Sequence, residues 1–284
     1  MNTPELVHVV TDSVADIPPA LALAHKIDVV HAKIIFSTSE EYTDGDITMS
    51  EFLEKLADHP IPPKTASPGL APFMTIYEAN PGPIAGVFAG SGFSALYAHG
   101  VDAAQELQRT NIEVRDSKSA SLGVGFPALL AAELAEQGYP LSEIMPHIDD
   151  MIERTYVVAL LSELKYLQHS GRMSLPQLWI GSALGIKPII GVKDNVVFRI
   201  DQARTKKNAL PLFLTWIQKH APFERMGIVH VANPEGVAEV QNALSNDFDK
   251  EKMLVADLTP AVSAHVGPGT VGVIFVSKNK PAAA

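Results

Sequence analysis

One corner constrains this chain more than any other stretch. The apolar run Ile84–Phe88 passes through Gly90-Ser91-Gly92-Phe93-Ser94 into a helix-like segment over residues 95–109. Strand, glycine-rich turn and helix start follow in that order. Glycines at 90 and 92 let the backbone turn sharply and approach another group closely, while the first amides of the helix have no partner inside it. Those amides carry the positive end of the helix dipole, so the corner suits an anion. Ser94 either caps the helix or lends its hydroxyl to a bound carboxylate or phosphate.

The rest of the first half repeats the alternation. Residues 6–10 and 27–35 read as strands, the first ending in Thr11-Asp12-Ser13, and Glu40 to Asp46 reads as an exposed acidic loop. Thr48-Met49-Ser50-Glu51 has capping-box spacing and opens a helix that Pro60, Pro62 and Pro63 end. Ser67 and Pro68 have the pattern of a cap and first helical residue ahead of a helix over 70–79. A strand over 111–115 leads to Asp116-Ser117. An apolar helix spans 120–137, and another starts at Ser142, with Pro146 acceptable in its opening turns. Strand–helix alternation of this kind predicts a parallel sheet covered on both faces, an α/β/α domain over residues 1–154.

From Thr155 the pattern changes. Strands over 187–192 and 196–202 flank Asp194-Asn195, a hairpin turn, so antiparallel pairing enters. Helices over 210–219 and 236–244 alternate with strands over 226–231, 252–257 and 271–276, which predicts a smaller α+β domain over 155–284. At 284 residues with 46% hydrophobic content, each domain can bury a core. No internal repeat is evident.

Charge and composition exclude several functions. A formal net charge of -10 with no basic run argues against nucleic acid or an anionic membrane as main partner. Without cysteine there is no disulfide, thiolate metal site or cysteine nucleophile. The start Met1-Asn2-Thr3-Pro4-Glu5 lacks the features of a signal peptide, and no run approaches the roughly 18 apolar residues of a membrane span, so a cytoplasmic protein without stable membrane insertion is expected. The tail Pro281-Ala282-Ala283-Ala284 is expected to fray. Histidine and carboxylate spacings give no metal site.

Four hydroxyl-rich corners fall at strand ends or helix starts of the first half: Thr11-Asp12-Ser13, Thr65-Ala66-Ser67-Pro68, Ser91-Gly92-Phe93-Ser94 and Asp116-Ser117-Lys118-Ser119. In a doubly wound sheet several would face one crevice. His169-Ser170-Gly171-Arg172 and His265-Val266-Gly267-Pro268-Gly269 read as loops of the second half. Together they suggest a small anionic head group held at a domain seam by hydroxyls and amides. A serine hydrolase is the enzyme alternative, with Ser94 as nucleophile, His265 as base and Asp201 or Asp257 as acid. Against it, Leu96 stands where the nucleophile elbow needs its second glycine.

These residues, taken in order with Ser121-Leu122-Gly123-Val124-Gly125, Leu164-Lys165-Tyr166-Leu167, Ser170-Gly171-Arg172-Met173, Lys187-Pro188-Ile189 and Ala203-Arg204-Thr205, resemble the DegV family over nearly the whole chain. That family comprises bacterial fatty-acid-binding subunits of fatty-acid kinase. The resemblance implies an α/β/α domain and a smaller α+β domain, with an acyl chain enclosed and its carboxylate at the seam. It also implies a non-enzymatic carrier in phospholipid metabolism with no cofactor, presenting the fatty acid to a separate ATP-dependent kinase subunit that makes an acyl phosphate. Carried over, it puts Thr65, Ser94 and His265 on the carboxylate, with Ser13, Ser117, Gly92 and Gly267 in the head-group vicinity. Arg172 and Arg204 fall near the presented phosphate or the docking kinase. The chain departs from the family where Phe93-Ser94-Ala95-Leu96 replaces Leu-Ser-Gly-Thr, which bears on chain-length preference more than on the head group, since Ser94 is kept.

Overall fold

The structure is a computed structural model and describes residues 6–172 and 185–280. Met173 and both terminal segments discussed above lie outside the described residues. The elements run β1 (His8–Asp12), α1 (Pro19–Ala24), β2 (Ile27–Val30), β3 (Lys33–Ser37), β4 (Glu40–Thr43), α2 (Met49–Asp58), β5 (Lys64–Ala66), α3 (Ala71–Ala79), β6 (Ile84–Phe88), α4 (Leu96–Glu106), β7 (Ile112–Asp116), α5 (Leu122–Glu136) and α6 (Leu141–Arg154). They continue as β8 (Thr155–Leu160), α7 (Lys165–Ser170), β9 (Lys187–Lys193), β10 (Val196–Ala203), α8 (Lys206–Gln218), β11 (Phe223–His230), α9 (Pro234–Leu244), β12 (Leu254–Asp257), α10 (Pro260–Val266) and β13 (Val271–Ser277).

Three sheets result. The first is parallel throughout, in the order β2-β1-β6-β7. Its inner strand β6, Ile-Ala-Gly-Val-Phe, is buried at every position, as a strand covered on both faces must be. The second sheet is mixed, in the order β10-β9-β8-β13-β11-β12, and antiparallel except for the β11–β12 pair. A third, small antiparallel sheet runs β4-β3-β5. The mixed α/β architecture expected from the sequence is therefore present.

Helices α5 and α6 pack against strands of both large sheets. Helix α5 is apolar on every side from Leu122 to Ala132, which suits a position between two sheets, with its glutamates confined to the last turn. Strand β13 makes the layering visible. Ile274 and Val276 join the core that includes α5 and the parallel sheet, while the alternate residues Val273 and Phe275 join the core under α8 and α9. One hydrophobic core thus runs through residues on both sides of position 154, from Val10 and Phe88 to Val229 and Ile274.

Several local expectations need correction. Residues 27–35 make two strands, because the chain leaves the parallel sheet at Val30 and enters the small sheet at Lys33. The acidic stretch forms β4 and then buries Asp44, whose carboxylate accepts from the Ala261 amide at 3.3 Å. Ser67 and Pro68 do not start α3. The helix begins at Ala71 with Pro72 in its first turn, and the Ser67 hydroxyl meets His99 Nδ1 at 2.7 Å. Pro146 lies in the sixth position of α6, beyond the opening turn. His169 and His265 sit in the last turns of α7 and α10, on helices instead of loops.

Candidate functional site

A cavity opens where the small sheet, the glycine turn, α10 and the β9–β10 hairpin meet. Its internal free volume is about 120 Å³, and about 810 Å³ when all the space between atoms out to open solvent is counted. Its walls are apolar: Val14, Leu96, Leu167, Ile190, Val192, Val197, Val262 and Val266 contribute from both halves of the chain. Polar atoms come from Thr65, Ser94, Arg172 and His265. Sequence reasoning named all four, and the fold brings them to one cavity.

Each is set by its element. The turn before α4 is tight, with Phe93 N and Ser94 N both donating to the Gly90 carbonyl. Ser94 Oγ accepts from Leu96 N at 3.3 Å, a turn bond just ahead of α4, and its O–H remains free to donate. The N-cap of α4 is Ala95, without a side-chain cap, so Ser94 is not the capping residue the sequence offered. Thr65 is the central residue of β5, opposite Ile34 in the ladder, and its Oγ1 lies 2.8 Å from His265 Nε2. Burial, with the neighbouring Arg172 guanidinium, holds the His265 imidazole down to about 3, so it is neutral at physiological pH. Its Nδ1 is buried without a hydrogen-bond partner among the described residues.

Arg172 is half-buried just beyond α7. Its guanidinium donates to three carbonyls: Nε to Phe93 at 3.3 Å, Nη1 to Ser170 at 2.8 Å and Nη2 to Thr65 at 2.8 Å. It therefore ties the loop of Ser94 to the strand of Thr65, with two of its five N–H groups making no bond among the described residues. Among the described residues it pairs with no carboxylate, and burial lowers its pKa without a compensating acid. Even so lowered, a guanidinium stays charged. An apolar cavity with a cation and hydroxyl donors clustered at one place is built for an amphipathic ligand with an anionic end.

The other expected site residues line different ground. Ser13 Oγ accepts from Ala32 N at 3.1 Å and its carbonyl from Thr259 Oγ1 at 3.2 Å, joining β1 to the starts of β3 and α10. Ser117 is buried beneath the glycine turn with its hydroxyl on Ser119 N at 3.2 Å. Gly92 lies at the exposed rim, its amide on Asn195 Oδ1 at 3.1 Å. Gly267 ends α10 at φ +76, with the Tyr166 ring where a Cβ would stand. Arg204 is exposed after β10. None of these five lines the cavity among its described residues. Conversely, sequence reasoning passed over α10 as a wall, although Thr259-Pro260 ahead of an apolar run is a helix-start signal.

A hydrolase triad is not assembled. Among the described residues, His265 Nε2 meets Thr65, its Nδ1 meets no acid, Asp257 sits by His230 at 3.3 Å and Asp201 Oδ1 accepts from Gln202 N at 2.7 Å. Without an acid on the imidazole, nothing orients it toward Ser94 as a base. Among the described residues no group of three or more histidines and carboxylates is placed to hold a metal, and no helix is long and apolar enough to cross a membrane.

Comparison with known proteins agrees with this geometry. The sequence model of the DegV family, described as a family of uncharacterised proteins, matches residues 6–278. The chain belongs to the DegV family. A DegV domain-containing protein of Caldanaerobacter subterraneus is 30% identical over 282 residues, covering 96% of this chain and all of the relative. Among solved structures, a fatty-acid-binding DegV family protein from Thermus thermophilus superposes with a TM-score of 0.87 at 26% identity, covering 95% of this chain and 99% of its own. DegV of Bacillus subtilis, described as a fatty acid binding protein, gives 0.83 at 26% identity over 96% and 99%.

Proposed function

We propose that this DegV family member binds a long-chain fatty acid, with the hydrocarbon in the apolar cavity and the carboxylate among Thr65, Ser94, His265 and Arg172. The observation that carries the reading is the cavity's composition: hydrocarbon walls drawn from both halves, with the Ser94 hydroxyl, the Thr65–His265 pair and the Arg172 guanidinium at one place. Fatty acid binding by similar proteins supports it. Burying about 15 methylenes at about 0.8 kcal/mol each gives on the order of 12 kcal/mol of gross driving force. Even after association costs of several kcal/mol, the tail alone can hold the ligand.

The carrier reading extends to a partner. In it, a separate ATP-dependent kinase subunit docks over the mouth of the cavity. A carboxylate oxygen attacks the γ-phosphorus of ATP, ADP leaves, and an acyl phosphate remains on this protein for phospholipid synthesis. The chain then supplies binding and orientation and needs no cofactor of its own. Hydroxyl donors suit this chemistry because they hold the carboxylate without masking both oxygens, as a bidentate arginine would. Arg172 neutralises charge at the head group, and the exposed Arg204 serves docking.

Native mass spectrometry of the purified protein, followed by organic extraction, tests the binding step. A co-purified long-chain fatty acid is expected. Protein that emerges empty and takes up neither oleate nor palmitate overturns the reading. The partner step is tested separately, by acyl phosphate formation when loaded protein, ATP and a purified fatty-acid kinase subunit are combined.

A further inference from the structure

The glycine turn that presents Ser94 is clasped from the other half of the chain. The β9–β10 hairpin turns at Asp194 and Asn195, both in the left-handed region with φ 49 and 64, and its tip lies across Gly90 and Gly92. Neither glycine tolerates a side chain there. A Cβ on Gly90 would strike Asn195 Oδ1, and one on Gly92 would stand 2.6 Å from the Asn195 carbonyl.

Asn195 makes the clasp specific. Its backbone N–H donates to the Lys118 carbonyl at 2.9 Å. Its side-chain Oδ1 accepts from Gly92 N at 3.1 Å, and its Nδ2 donates to Asp116 Oδ2 at 2.9 Å and to Ser91 Oγ at 3.2 Å. Asp116 in turn accepts from Ser91 Oγ at 2.6 Å, Ser91 N at 3.1 Å and Lys118 N at 2.8 Å. Those donors hold its carboxyl below the usual range against the opposing cost of burial. One amide side chain therefore joins the hairpin tip, the end of β7 and the glycine turn.

We propose that Asn195 is a positioning residue for the Ser94 hydroxyl. It fixes Gly92, two residues ahead of Ser94, while Arg172 fixes the carbonyl of Phe93 between them. Closing the hairpin over the turn and setting the acid-binding hydroxyl are then one event. The same hairpin walls the cavity with Val192 and Val197, so tail and head group are held by a single element. The hairpin does not need the Asn195 side chain to form. Its ladder closes at Lys193–Val196, and left-handed φ values are supplied by any residue that tolerates them. The inference rests on the fatty-acid reading of the cavity.

The test uses the delipidated full-length chain and compares palmitic acid with hexadecanol, which shares its tail and lacks its carboxylate. Asn195→Gly keeps the left-handed turn and removes only the amide. Wild type is expected to prefer the acid, and Asn195→Gly to bind the acid about tenfold more weakly while changing hexadecanol less than twofold. Asn195→Asp sets a second carboxylate beside Asp116 and is expected to lose at least as much acid affinity. In a Ser94→Ala background, Asn195→Gly is expected to add less than twofold, because the group it positions is gone. Equal losses for acid and alcohol, or full additivity with Ser94→Ala, overturn the proposal. Failure of wild type to bind palmitic acid instead overturns the fatty-acid reading itself.

Discussion

Thr65 and Ser94 both offer a hydroxyl to the cavity, yet their removal should not be equivalent. Ser94 Oγ accepts only a long bond from Leu96 N, so Ser94→Ala removes a ligand donor and leaves α4 nearly intact. Among the described residues, Thr65 is the one hydrogen-bond partner of the neutral His265 ring, whose other nitrogen has none. Thr65→Ala therefore strands a buried imidazole as well as removing a donor, at a cost of about 1–3 kcal/mol. Titration with a fluorescent fatty acid should show each variant weakened about tenfold, the loss of one hydrogen bond to a charged group. Chemical denaturation without ligand should separate them, with Thr65→Ala clearly destabilised and Ser94→Ala close to wild type. If both variants unfold alike, the Thr65–His265 pair is not supporting α10.

At the scale of elements, α10 carries His265 at its end, and its start is held by acids from elsewhere. Thr259 makes no side-chain cap. Instead Asp16 Oδ1 accepts from Thr259 N at 2.7 Å and Asp44 Oδ1 from Ala261 N at 3.3 Å, each with Oδ2 buried and without a hydrogen bond among the described residues. Burial, opposed by the Ser121 hydroxyl and Thr259 and reinforced by the Asp44 charge, pushes the Asp16 carboxyl up to about 8. Asp44 is raised by burial in the same way, and burial raises Asp12 to about 7 against amide bonds from Ala89 and Val14. A folded state that holds protons the unfolded chain has released above pH 4 gains stability at low pH and loses it as pH rises toward 8. The neutral His265, held down to about 3, works in the opposite direction up to about pH 6.5, so denaturation midpoints should fall most plainly between about pH 6.5 and 8, each raised carboxyl contributing up to about 1.4 kcal/mol per pH unit. Asp16→Asn keeps the acceptor for Thr259 N, puts a donor near the Ser121 hydroxyl, and should flatten that slope; an unchanged slope would remove Asp16 from the account.

These acids also show where local sequence signals end. The capping box at Thr48 and Glu51, the hairpin at Asp194 and Asn195 and the buried strand β6 are written in residues a few positions apart, and each formed as expected. Asp44 read as part of an exposed acidic loop because its partner, Ala261, lies more than two hundred positions away. Ser13 is placed near the head group by the family resemblance alone, and its bond to Thr259 is as distant in sequence. Ser94 stands out by its glycine turn and Thr65 by its hydroxyl-rich corner, while their grouping with His265 and Arg172 comes from the order of family motifs, since spacing alone carries no sign that β5, the glycine turn and α10 converge. Asn195 was seen as a turn residue, and nothing in its neighbours announces the clasp on Gly92.

For the whole molecule, the continuity of the core decides how it should unfold. A chain with a parallel sheet in one half and a mixed sheet in the other invites two independent transitions. Yet α5 lies between the sheets, Val229 and Ile274 share a core with Val10 and Phe88, and Arg225 of β11 donates to Glu133 of α5 through Nη1 at 2.9 Å. Neither half can open without exposing the surface it shares with the other. Calorimetry of the delipidated chain should therefore show one cooperative transition. The cavity spans both halves, so a saturating fatty acid should move that whole transition upward. At a hundred times Kd the gain is about 2.7 kcal/mol, several degrees for a chain of this size. Two resolved peaks, with only one shifted by palmitate, would mean that the halves fold separately and that the ligand is held by one of them, against walls contributed by Val14 and Leu96 on one side and Ile190 and Val192 on the other.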